Sequence, residues 1–80
     1  MSRQETEIIR ETKASLKAYM KQYYKGEKVI DINVLLDSRL ESITFGTLFT
    51  ITENHIIMKY DFEYEIDSKE VHVHYLKMMY

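Results

Sequence analysis

Residues 43–66 read ITFGTLFTITENHIIMKYDFEYEI, two alternating stretches about a polar turn, and the side that each stretch turns inward decides the fold. In the first, Ile43, Phe45, Thr47, Phe49 and Ile51 share a side; in the second, Ile56, Met58, Tyr60, Phe62, Tyr64 and Ile66 do. That period of two is the signature of a β-strand with one buried face. A two-residue turn at Glu53-Asn54 pairs Ile51 with Ile56, Phe49 with Met58 and Phe45 with Phe62, so both sets lie on one face. A slip of one residue would turn a whole set outward.

The same period extends on either side of the hairpin. VIDINVLLD offers Ile30, Ile32, Val34 and Leu36, and EVHVHYLKMM offers Val71, Val73 and Tyr75. Aligning Leu36 with Ile43 pairs Val34 with Phe45. A turn at Ser68-Lys69 pairs Ile66 with Val71, Tyr64 with Val73 and Phe62 with Tyr75. The expected strands cover about residues 28–37, 43–52, 55–66 and 70–79, joined by short connections that favour an antiparallel meander.

Ahead of them the period is helical. Ile8/Ile9, Leu16, Tyr19/Met20 and Tyr23, with Thr12, form one stripe. Ser2-Arg3-Gln4-Glu5 fits a capping box, and Gly26 suits a left-handed C-cap. The helix is expected over about residues 3–25. The expected fold is therefore α+β: one N-terminal helix packed on a four-stranded antiparallel meander sheet, two layers in a single domain spanning residues 1–80.

A chain of 80 residues buries only about 60% of its unfolded surface, so its core is thin. Having no cysteine, it has neither disulfides nor thiolate metal sites to brace it, which points toward self-association or a partner. The N-terminus lacks the layout of a signal peptide and no apolar run reaches membrane-spanning length, giving a cytoplasmic expectation with no membrane partner. The net charge of −2 hides an asymmetry. Residues 1–28 hold seven Lys/Arg against four Glu, and residues 29–80 hold four Lys/Arg against nine Asp/Glu.

The expected register also populates the sheet face away from the helix. Leu48, Ile57, Leu76, Met78 and Tyr80 cluster there around Lys59, with Leu35 and Val29 farther along. Contiguous apolar residues on a sheet face mark an interface, and an uncovered apolar edge strand invites aggregation. These residues are the candidate surface for a homodimer or protein partner.

On the same face Glu65 is expected opposite His72 and Glu63 opposite His74. Glu63, His72 and His74 form a candidate His-His-carboxylate metal set, and neighbouring carboxylates favour the charged imidazole, a route to pH sensing. The plainer account is a solvated run of cross-strand His-Glu pairs, and it is preferred because an open sheet face offers neither concavity nor supporting hydrogen bonds. No metal or other cofactor is expected.

Arg10, Lys13, Lys17, Lys21, Lys25 and Lys28 recur every three or four residues as a basic stripe suited to nucleic-acid contact. It ranks second, since an amphipathic helix needs a solvated face and no aromatic residue is evidently offered beside it. Tyr19, Tyr23, Tyr60, Tyr64 and Tyr75 are assigned to the core, and Tyr24 and Tyr80 are freer. A third reading takes Asp61, Glu63, Glu65, Asp67 and Glu70 as a phosphate-like surface that inhibits a basic partner. No nucleophile and base form a catalytic arrangement, and two glycines build no phosphate-cradling loop, so no enzyme is expected.

Val34-Leu35-Leu36-Asp37 followed by Gly46-Thr47-Leu48 resembles the Sm-like family of RNA-binding ring proteins, over about residues 29–58. The likeness implies an RNA-binding function. The next turn, Thr52-Glu53-Asn54, departs from that family's spacing, and its Arg-Gly motif is missing from IDSKEVHV, so no RNA-contacting residue carries over. Size and composition also suit a small phage or mobile-element regulator. The leading expectation is a small non-enzymatic interaction or regulatory protein acting through the exposed sheet face and its C-terminal strand.

Overall fold

A computed structural model describes residues 2–37, 39 and 42–79, with side chains from residue 6 onward. Ser38 and Tyr80 lie outside the described residues, as do the side chains of Ser2 and Glu5 that would form the capping box. The elements run α1 (Ser2–Tyr23), β1 (Glu27–Leu36), β2 (Ile43–Thr52), β3 (Ile57–Glu65) and β4 (Glu70–Met79). The strands form one antiparallel sheet in the order β1-β2-β3-β4, and α1 lies on one face of it. This is the α+β meander that the periodicities call for.

The helix ends at Tyr23, the last residue of its apolar stripe and two residues short of the expected limit near residue 25. The Tyr24 amide donates to the Met20 carbonyl (2.8 Å), after which Gly26 takes φ +92° and turns the chain into β1. That left-handed cap is the reason for glycine there. Thr12, Leu16 and Met20 form the fully buried stripe of α1 and meet Ile32, Leu48, Tyr60 and Phe62 of the sheet.

The β2–β3 register overturns the expected pairing. Phe45 lies opposite Glu63, Gly46 opposite Phe62, Leu48 opposite Tyr60 and Ile51 opposite Ile57. The hairpin loop has three residues at its tip rather than two: Thr52 accepts from the His55 amide (2.9 Å) and donates its own amide to Ile56 (2.9 Å), while His55 takes φ +64°. An extra residue in left-handed conformation closes the hairpin and shifts it by one. The side of β2 facing the helix is therefore Thr44, Gly46, Leu48 and Thr50, all buried. Ile43, Phe45, Thr47, Phe49 and Ile51 face outward, and Ile56 precedes the strand instead of sharing the core face.

Small residues suit that inner side of β2. Thr44 hydrogen-bonds Thr12 (2.9 Å) beneath the helix, and Thr12 donates to the Ile8 carbonyl (2.8 Å). Thr50 donates to Glu27 (2.7 Å). Each buried hydroxyl thus has a partner, as burial demands.

Two bulges alter the outer strands. β1 slips between Val29 and Asp31, so Val29 joins the core and Ile30, expected inside, is half exposed. β4 slips opposite Lys59/Tyr60, taking Leu76 out of the ladder. The last loop holds four residues between Glu65 and Glu70, with Lys69 at φ +64° and its amide bonded to the Glu65 carbonyl (2.8 Å). Tyr64 accordingly pairs with Val71, Phe62 with Val73 and Tyr60 with Tyr75, two positions from the expected register. An even slip preserves the face but changes every neighbour.

Candidate functional site

Reading the observed ladders across the outward face gives rows from β1 to β4. Asp31, Phe49, Lys59 and Lys77 form one; Asn33, Thr47, Asp61 and His74 the next; Leu35, Phe45, Glu63 and His72 a third. Ile51 and Ile57 neighbour each other at one end. Down the centre therefore runs an apolar stripe of Ile43, Phe45, Phe49 and Ile51, flanked by Leu35 and Ile57. The Lys59 ammonium lies 5.8 Å from the centre of the Phe49 ring, a cation–π contact that leaves the stripe with a positive border. No described element of the chain lies over this face.

The residues first assigned to that surface separate. Leu48 is completely buried under α1, because the one-residue shift of β2 turns it inward. Met78 lies opposite Met58 on the helix side, because the bulge at Leu76 reverses the alternation. Leu76 itself is 44% exposed at the bulge. Ile57 remains on the outward face, where Lys77 and Met79 replace the expected Leu76 and Met78, and Tyr80 is outside the described residues. The apolar outward face exists, but β2 supplies its centre.

His72 and His74 do share the outward face, opposite Glu63 and Asp61 rather than Glu65 and Glu63. His72 Nε2 still reaches Glu65 Oε2 diagonally at 3.3 Å. Among the described residues the set able to converge on an ion is Glu65, Glu70 and His72, whose ligand atoms lie within 4.8 Å of one another, in place of Glu63, His72 and His74. Ser68 donates to both Glu65 (3.2 Å) and Glu70 (3.3 Å). Glu70 and His72 are exposed and Glu65 is half-buried.

At the other end of the molecule, Lys17, Lys21, Lys25 and Lys28 line a cleft of about 590 Å³ whose walls include Tyr24, Glu27 and Val29. Glu27 accepts from Thr50 (2.7 Å) and from the Tyr60 hydroxyl (2.5 Å). Burial, then the Glu27 carboxylate, raise the Tyr60 pKa, and burial likewise raises that of Tyr24. Tyr24 meets Tyr60 edge-on, ring centres 5.3 Å apart. Of the tyrosines assigned to the core, Tyr60 and Tyr64 are buried, whereas Tyr23 is 63% and Tyr75 52% exposed. Tyr23 stacks obliquely on Tyr19 with centres 4.7 Å apart. Tyr23 is the last residue of α1 and its ring is largely exposed. Arg10 and Lys13 continue the basic stripe as exposed residues.

A separate network ties the helix to the last hairpin. Tyr64 donates to Glu11, and the Lys69 ammonium sits 2.9 Å from the same carboxylate. The Tyr64 hydroxyl, followed by Lys69, holds the Glu11 carboxyl below its ordinary value. Its position beneath α1 marks it as structural.

The outward stripe was missed although two signals bear on it. Gly46 in an alternating strand marks close backbone approach, which assigns its side to the covered face. Asn54-His55 tolerates the left-handed conformation that lengthens the turn. No helix among the described residues is long and apolar enough to cross a membrane. Comparison with protein-family models, curated proteins and solved structures returns no match.

Proposed function

We propose that this protein acts by self-association through the sheet face turned away from α1, with no catalysis of its own. The observation that carries the reading is the stripe of Ile43, Phe45, Phe49 and Ile51 along β2, which has no cover within the described chain. The four side chains are half-buried and Thr47 stands between the two phenylalanines; an apolar row on an open sheet face is the usual mark of an interface.

One charge pair beside the stripe, Lys59 and Asp31 on opposite sides of Phe49, favours a second copy as the occupant. Turning a copy by a half-rotation about an axis along β2 lays two sheets face to face, in the aligned manner of a β-sandwich. Phe45, Phe49 and Ile51 then meet their counterparts. Lys59 on β3 comes over the partner's Asp31 on β1, and Asp61 comes over the partner's Asn33. The acid- and histidine-rich rim on β4 falls outside the overlap and stays in water.

Light scattering on a size-exclusion column tests this. The wild-type chain is expected to run as a dimer at micromolar concentration, and Phe49→Glu, an outward-facing change that leaves the core intact, is expected to run as a monomer with an unchanged far-ultraviolet circular dichroism spectrum. Lys59→Asp should weaken the dimer, and adding Asp31→Lys should restore it. A wild-type monomer at every concentration, unaltered by Phe49→Glu, would sink the proposal.

A further inference from the structure

We infer that the lysine-lined cleft at the C-terminal end of α1 is a binding site for a nucleotide, its phosphate held by the lysines and its base against the tyrosines. Lys17 and Lys21 stand one turn apart on α1, about 6 Å of helix rise, Lys25 follows in the turn after the helix, and Lys28 at the start of β1 closes the same cleft. Like charges at that spacing repel each other. Among the described residues none of the four ammoniums is ion-paired. The one carboxylate in the wall, Glu27, accepts from the neutral Thr50 and Tyr60 hydroxyls and keeps its charge, so four lysines face a single carboxylate. The cleft therefore collects uncompensated positive charge.

Charge alone would suit any anion, but the cleft is mostly apolar, with Tyr24 and Val29 in its wall. Beside it, Tyr19 lies within ring-contact range of both Tyr23 and Tyr24, and the Tyr23 ring is largely exposed. An occupant that satisfies both features carries negative charge next to a flat apolar body. A nucleotide has that combination: lysines neutralise the phosphate while aromatic rings stack on the base. The same chemistry is offered by a free nucleotide and by one unit of a single strand. The Arg10 and Lys13 positions farther along α1 would extend contact to a strand's neighbouring phosphates.

The test is an amide NMR titration of the whole chain with three probes: adenosine monophosphate, a short oligothymidylate and inorganic phosphate. Saturable shifts centred on Tyr24, Gly26 and Val29 are expected with either nucleotide probe, at an affinity at least about tenfold above that for phosphate alone. Binding should weaken between about 50 mM and about 200 mM salt. Lys21→Glu combined with Lys25→Glu, both at exposed sites, should reduce affinity about tenfold or more without changing the remaining spectrum. Tighter, more salt-sensitive binding of the oligothymidylate identifies a strand as the ligand, and equal binding identifies the free nucleotide. Absence of shifts in the cleft overturns the inference, as does phosphate binding as tightly as the nucleotides. Because Phe49→Glu leaves this cleft untouched, the monomeric variant should bind equally well, which separates this result from the fate of the self-association proposal.

Discussion

At Gly46 the backbone of β2 passes so close to β1 that an added Cβ would stand 1.9 Å from the Asn33 carbonyl oxygen and 3.2 Å from the Phe62 ring. Neither strand can yield without breaking its ladder. Gly46→Ala is expected to destabilise the fold by about 3 kcal/mol, the upper part of the overpacking range, measured as a lowered urea midpoint. Glu11 gives a second prediction at this scale. Its carboxyl is held below the ordinary value of 4.5 by the Tyr64 hydroxyl and then Lys69. A depressed folded value means that the stabilisation is complete above the ordinary value and disappears as the pH falls through the folded one. Tyr64→Phe should therefore cost about 1 kcal/mol at neutral pH, a modest figure for a partly exposed carboxylate. That difference from wild type should shrink as the pH falls below the ordinary carboxyl value of 4.5 and through the lower folded one, followed by chemical unfolding at a series of pH values.

Among the elements, the loops decide more than the strands do. Both β-hairpins to either side of β3 close through a non-glycine residue at φ +64°, His55 in one and Lys69 in the other. That conformation costs an ordinary residue about 1–2 kcal/mol. His55→Gly should relieve much of it and raise stability by up to about 1 kcal/mol, read as a higher melting temperature with unchanged register. Lys69 differs because its ammonium is bonded to Glu11, so the left-handed residue also fastens the hairpin to α1. The bulges matter as well: each admits one extra residue in β1 or β4, and each reverses the facing of what lies beyond it.

Over the whole molecule, a single helix of 22 residues covers one face of a four-stranded sheet, and the other face keeps the bulkier side chains of β2. If that face closes on a second copy, the melting temperature should rise with protein concentration in the wild type and be independent of it in Phe49→Glu, because association stabilises by mass action. Differential scanning fluorimetry over a hundredfold concentration range reads this directly. The basic cleft lies at the end of α1, beside the start of β1, so the proposed nucleotide binding is expected to be separable from the proposed self-association.

The sequence by itself determined the elements: the change from a helical stripe to a period of two at Gly26, four alternating strands, and short connections that leave a meander as the simple path. It also placed Thr12, Leu16 and Met20 under the sheet, and Tyr60, Phe62 and Tyr64 over them. What only the tertiary structure decided was which side of β2 met the helix. Hydrophobicity favours Ile43, Phe45, Phe49 and Ile51 for that place, but one additional loop residue at His55 reverses the strand. The close approach of β1 is then met by Gly46, and Thr44 and Thr50 beside it have hydroxyls whose partners no local pattern displays. A strand's two faces differ by a single step of register, and that step is set by loop conformation and packing between distant residues, not by the alternation within the strand.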